Sequence, residues 1–149
     1  MATAESTVLQ QCGALPFSVN GRGEIKVLLV TTRRGKSWII PKGWPIRNLT
    51  AAATAAREAY EEAGVVGNIV GEEPVGLYRY ERRRNSRRPT IYEVSVFLFA
   101  VERQLRKWPE KAERETRWFA PTKAATLLAP IGLADIVETA TRHLLVGAD

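Results

Sequence analysis

The sequence predicts an α/β fold, an α/β/α sandwich around a mixed sheet, and three observations carry that reading. Several β-branched runs bounded by Gly, Pro or Asn have strand length: residues 7–19 (TVLQQCGALPFSV), 25–31 (IKVLLVT) and 91–101 (IYEVSVFLFAV). An alanine-rich stretch at 50–63 contains neither Gly nor Pro and reads as a helix inserted between those strands. Two further helical stretches close the chain, at 121–129 with Pro in its first turn and at 131–146.

In chain order, residues up to about Ser6 read as disordered, and the first strand is expected to kink near Gly13 or Pro16. Residues 20–24 (NGRGE) form a turn that pairs the first two strands as a hairpin. A basic loop at 32–37 (TRRGKS) leads to a short buried strand at Trp38 and a Pro/Gly-rich loop before the helix. Asn48 or Thr50 suits its N-cap and Gly64 its left-handed stop. Strands follow at 65–69 and 74–81, with Leu77, Tyr78 and Tyr80 as packing candidates. Residues 82–89 (RRRNSRRP) form a basic hairpin tip, and 117–120 (RWFA) a short strand. Apolar positions Ile131, Ile136, Val137, Ala140, Leu144 and Leu145 mark the last helix. No internal repeat or linker interrupts the 149 residues, so one domain is expected.

Composition narrows the function classes. The hydrophobic share of 45% and charged share of 26% are those of an ordinary soluble protein. No apolar run is long enough to cross a bilayer, and the N-terminus lacks a signal pattern. The single cysteine, Cys12, makes no internal disulfide and reads as core, so a reducing, cytoplasmic home is expected. A formal net charge of +6 points to an anionic partner without naming it. There is no Ser-His-Asp set, no Cys/His zinc spacing and no P-loop. The lone His143 reads as a surface or packing residue, and Trp108 and Trp118 as core or edge residues that could stack a base.

Chemistry concentrates on the central helix. Glu58, Glu61 and Glu62 fall at i, i+3 and i+4 on one face, with Ala52, Ala56, Ala59, Ala63 and Tyr60 opposite, so the carboxylates are expected to point away from the sheet. Arg57 lies four residues before Glu61 and can pair with it. Crowded carboxylates destabilise a bare helix, but hard divalent cations reverse that sign. A solvated acidic face is the competing reading. The arginines at 82, 83, 84, 87 and 88, with Arg33, Arg34 and Lys36, would form a positive rim over an acidic floor. Lys42 is either an exposed loop lysine or a phosphate contact.

This stretch resembles the signature of the Nudix hydrolases, G-x5-E-x7-R-E-U-x-E-E-x-G-U, where U is a bulky aliphatic residue. Gly43, Arg57, Glu58, Ala59, Glu61, Glu62, Gly64 and Val65 fall in register, while Leu49 replaces the first Glu and Ala59 is a small aliphatic. The lead-in WIIPKGW and the later RWF segment also look like the family. The resemblance implies a metal-dependent hydrolase of phosphoanhydrides. Glu58, Glu61 and Glu62, with the Gly43 carbonyl, would hold Mg²⁺ or Mn²⁺, and Arg57 would orient a catalytic carboxylate. Glu58 is the first candidate for the general base, and Glu113 or Glu115 the second. Expected substrate contacts are Arg33, Arg34, Lys36, Lys42, Arg88 and Arg114, the last two placed like phosphate-binding arginines of diphosphoinositol polyphosphate hydrolases. Gln10 and Gln11 stand where those enzymes carry basic residues. The expected partner is a polyphosphorylated small molecule, a diphosphoinositol polyphosphate or a dinucleoside polyphosphate, with no membrane and no specific nucleic acid, for a monomer or homodimer. Two alternatives stay open: a nucleotide-sanitising or RNA 5′-pyrophosphohydrolase, and a non-catalytic binding module, for which Leu49 is the hint.

Overall fold

A computed structural model describes residues 7–83 and 88–146. The disorder expected at the N-terminus, and Arg84 and Arg87 of the expected basic tip, lie outside the described residues. The elements are β1 (Val8–Val19), β2 (Ile25–Thr31), β3 (Trp38–Ile39), β4 (Lys42–Gly43), α1 (Ala51–Ala63), β5 (Val65–Val70), β6 (Gly76–Arg82), β7 (Thr90–Gln104), β8 (Thr116–Phe119), α2 (Pro121–Leu127) and α3 (Leu133–Val146).

All eight strands join one mixed sheet. Its spine is the parallel pairing of β1 with β7, in register from Val8–Ile91 to Phe17–Ala100. Among the described residues the other strand–strand pairings are antiparallel, and a single parallel bridge joins Trp38 to Leu128. Alternation along the strands sends side chains to two cores. Leu15, Val27, Leu29, Val94, Val96 and Leu98 meet α2 and α3 through Ala124, Leu133, Ile136, Val137 and Ala140. Cys12, Ala14, Leu28, Val30, Phe97 and Phe99 meet α1 through Ala55, Ala59 and Ala63. Each fully buried aliphatic contributes about 1.5–3 kcal/mol. The α/β/α layering expected from the sequence is the observed one.

The differences are local. β1 runs unbroken through Gly13 and Pro16. The Ala14 N–H points outward to the Pro41 carbonyl at 3.0 Å, and Pro16, two residues on, faces the same way. It lies between the stretch paired with β4 (Cys12, Gly13) and that paired with β2 (from Phe17), where no ladder donor is needed. Lys42 and Gly43 are a strand rather than a loop, held to β1. Leu77 is exposed while Tyr78 is buried, because only alternate residues of β6 face the core. Ile131 precedes α3 and is 92% exposed, and Leu133, not expected from the pattern, is the fully buried anchor.

Both ends of α1 follow the sequence. The Thr50 hydroxyl accepts the Ala53 N–H at 3.0 Å, and Asn48 adopts a positive φ in the loop before it. Gly64 closes the helix at φ 69°, its N–H bonded to the Tyr60 carbonyl. The Trp108 ring lies against Gly64 where a Cβ would stand, and the segment after β7 is pinned by Leu105 N–H to the Gly64 carbonyl at 2.7 Å and Glu110 N–H to the Glu61 carbonyl at 3.0 Å. Gly64→Ala therefore meets both left-handed strain and the Trp108 ring, which must shift to admit a Cβ. Urea denaturation is expected to show a loss of at least about 1–3 kcal/mol, the usual cost of such a backbone conformation. A loss within the roughly 0.5 kcal/mol of an ordinary surface substitution contradicts this packing.

Candidate active site

The acidic face of α1 does not point away from the sheet as expected. Glu62 is only 2% exposed and lies on the same side as Ala55, Ala59 and Ala63. Small residues at these positions bring the helix close, and the β4 backbone then reaches the carboxylate: the Lys42 N–H donates to Glu62 Oε2 at 3.1 Å. Arg114 Nη1 stands 3.6 Å from Glu62 Oε1. Glu58 lies over Gly43, its carboxyl filling the space that a side chain there would need. The two carboxyls act on each other's titration, the Glu58 contact favouring the protonated form of Glu62 and the Glu62 contact favouring the charged form of Glu58.

Burial dominates the titration of this pair. It pushes Glu62 up to about 8, against the pull of Arg114 and the Lys42 N–H, with the Glu58 contact pushing the same way as burial. Glu58 is also raised, first by desolvation and then by the charges of Glu61 and Glu110, while Glu62 and Arg114 lower it. Glu61 sits at the rim, 31% exposed, with Oε1 held by Arg57 Nε at 3.0 Å, the pairing expected from their spacing. Among the described residues no three acidic, His or Cys side chains converge as a ready-made ion cage. The donor set is nonetheless all oxygen, with burial raising both Glu58 and Glu62, and such a set fits a hard divalent cation, which would offset the charge that burial disfavours.

Beside this pair opens a cleft of about 800 Å³ lined by Arg33, Arg34, Lys36, Lys42, Arg82, Arg83 and Arg114, with Glu81 the acidic residue among them. Lys42 is not an exposed loop lysine. Its ammonium donates to the Tyr80 hydroxyl at 2.9 Å, which donates to Gln11 Oε1 at 2.7 Å, and burial lowers its pKa while Glu62 partly restores it. Gln11, read as a missing basic residue, is the end of this chain. Trp44, half exposed, packs at 5.6 Å on Tyr92, which stacks on Tyr80 at 4.9 Å.

Other expected residues are not brought to the pair. Glu115 is turned to Arg117 at 2.6 Å on the surface, and Glu113 stands 3.8 Å from Arg33. Arg88 is exposed and is not among the cleft-lining residues. The sequence reading missed Glu110. Its Oε1 accepts from Arg114 Nε at 2.9 Å and lies 3.4 Å from Arg33 Nη2. The i,i+4 spacing of Glu110 and Arg114 was its one visible sign.

Comparison with known proteins agrees with this architecture. The family model described as NUDIX domain matches residues 13–140. Nudix hydrolase 21, chloroplastic, of Arabidopsis thaliana is 35% identical over 133 residues, covering 87% of this chain and 64% of that protein. Diphosphoinositol polyphosphate phosphohydrolase 2 of Rattus norvegicus is 30% identical over 108 residues, covering 70% of this chain and 55% of that protein. A solved C. elegans Ap4A hydrolase binary complex superposes with a TM-score of 0.66 at 14% identity, over 93% of this chain and 98% of that one. The chain belongs to the Nudix hydrolase family. It spans about three fifths of the length of the curated relatives it matches. Among the described residues no helix is long and apolar enough to cross a membrane.

The buried pair makes a pH prediction for metal-free protein. An unfolded Glu titrates near 4.5 and folded Glu62 near 8, so the folded state holds the extra proton between these values. Its contribution is complete below the lower one and is lost as pH rises toward the upper. In EDTA, the Tm of the wild type is expected to fall relative to that of Glu62→Gln between about pH 5 and 8. A Tm difference that is flat over this window, or that moves the other way, contradicts the raised carboxyl.

Proposed function

We propose that the protein is a metal-dependent pyrophosphohydrolase that cleaves a phosphoanhydride bond of a polyphosphorylated small molecule, a diphosphoinositol polyphosphate or a dinucleoside polyphosphate. The observation that carries this reading is the junction of two opposite surfaces: the buried Glu62 with the half-buried Glu58 and, across Lys42 and Arg114, a cleft lined mostly by cations. A phosphate chain spanning both meets positive charge on one side and a cation-binding carboxyl set on the other.

Glu58, Glu61 and Glu62, with the Gly43 carbonyl, are the groups that would hold Mg²⁺ or Mn²⁺. Bound there, the cation supplies charge neutralisation at phosphate oxygens and acidifies the attacking water. Arg57 fixes the rotamer of Glu61 through their 3.0 Å contact. Glu58, the less buried carboxyl of the pair, takes the water's proton. Lys42, oriented by Tyr80, presents a point charge to the phosphate chain, and Arg33, Arg34, Lys36 and Arg114, which line the cleft, supply the remaining contacts. Arg88 is retained only as a contact for a larger substrate. A single domain, a cytoplasmic location and a monomeric or homodimeric state complete the proposal.

A nucleotide-sanitising or RNA 5′-pyrophosphohydrolase is the second reading. The half-exposed Trp44 on the Tyr92–Tyr80 stack favours it, since this aromatic row adjoins Lys42 and offers a surface for a base. Phosphate release with Mg²⁺, measured across diphosphoinositol polyphosphates, dinucleoside polyphosphates and nucleoside triphosphates, separates the readings by relative kcat/KM. Glu61→Gln and Glu62→Gln are each expected to lower kcat by more than the roughly 10–100-fold that losing a supporting partner of a metal ligand costs. Near-wild-type rates in both variants, or no turnover of any of these substrates by the wild type, contradict the proposal.

A further inference from the structure

Arg33 and Arg114 both line the cationic cleft, yet neither guanidinium is free. Glu110 Oε1 lies within 2.9 Å of Arg114 Nε and 3.4 Å of Arg33 Nη2, so one carboxylate oxygen bridges the two. Arg114 is fixed from its other side by a 3.1 Å bond to the Thr31 carbonyl and by Glu62 at 3.6 Å. The Glu110 backbone is itself tied to the end of α1 through the Glu61 carbonyl. A carboxylate oxygen between two guanidiniums has the charge and hydrogen-bond pattern of a phosphate oxygen in the same place.

We infer that Glu110 is a built-in stand-in for a substrate phosphate. It holds Arg33 and Arg114 in a phosphate-binding arrangement and is displaced when a phosphate chain enters the cleft. This rests on the polyphosphate reading of that cleft. Because the Glu110 backbone is anchored, displacement is a side-chain rotation and leaves the loop in place. The exchange is unequal at the two arginines. Arg33, with a side chain 65% exposed, gives up a weak solvated contact, whereas the Arg114–Glu110 pair, 12% and 15% exposed, holds more tightly. Arg33 is thus the point where an incoming anion gains its first hold, and Glu110 is a positioning residue that also sets the affinity threshold for anions.

The test is binding of inorganic tripolyphosphate in EDTA by calorimetry, without turnover. Glu110→Gln keeps an acceptor for Arg114 and removes the competing charge, so its Kd is expected to be at least fivefold lower than that of the wild type. Glu113→Gln, which relieves only the 3.8 Å contact to Arg33, is expected to change it less than twofold. An unchanged or weaker Kd in Glu110→Gln, with binding intact in the wild type, overturns the inference and leaves the cleft's reading standing. No binding by either protein overturns both. Should Glu110→Gln not fold, a crystal structure of the wild type soaked with tripolyphosphate decides the matter. Glu110 turned away from both arginines supports the inference, and Glu110 still bridging them beside a bound anion overturns it.

Discussion

A carboxylate that water cannot reach is the constraint around which this molecule is arranged. Glu62 lies in the apolar layer between α1 and the sheet, where an isolated charge is costly unless it is paired, hydrogen-bonded or protonated. The protein uses all three devices: the Lys42 N–H from β4, the Arg114 guanidinium from the segment after β7, and a titration raised by burial and by Glu58 that favours the protonated form. Each partner comes from a different part of the chain. Pairing β4 with β1 places the Lys42 N–H, and the Trp108–Gly64 contact with the backbone bonds at Glu61 and Gly64 places the stretch carrying Glu110 and Arg114. The fold therefore converges on one oxygen-rich point that is incompletely neutralised, and this point adjoins the cation-lined cleft.

That juxtaposition explains why the two charge sets do not cancel. Arg114 and Lys42 stand at the seam, each touching both the acidic pair and the cleft. Further out, charges neutralise in pairs: Arg57 with Glu61, Arg83 with Glu81, Arg117 with Glu115. Exposed pairs of this kind contribute about 0–1 kcal/mol each and are screened by salt. The seam is sheltered, so its electrostatics persist at physiological ionic strength. A phosphate chain and a divalent cation are complementary to the two sides of the seam at once, and this complementarity is what supports the proposed polyphosphate hydrolysis.

The layering, the helix caps and the register of the acidic signature were all legible from the chain. Strand periodicity, the absence of Gly and Pro from 50–63, Thr50 and Gly64 each have a local physical cause. The direction of the carboxylates was not legible. Helical spacing shows that Glu58, Glu61 and Glu62 share a face, but which face the sheet covers depends on how close Gly43 and Ala59 let it come, a property of tertiary packing. Glu110 was hidden for a similar reason. Its partners Arg33 and Glu61 are distant in sequence, and only the fold brings them together. Lys42 was ambiguous because two residues of β4 carry no periodic signal, while Gln11 acquires its role only through Tyr80.

If the Glu58–Glu62 site holds a proton in the metal-free protein, a divalent cation binding there takes its place. The direct measurement is Mg²⁺ titration of the substrate-free protein at pH 7 by calorimetry in two buffers of different ionisation enthalpy. Saturable binding with release of roughly one proton per protein is expected, abolished in Glu62→Gln. Binding without proton release, or release that survives in that variant, would contradict it.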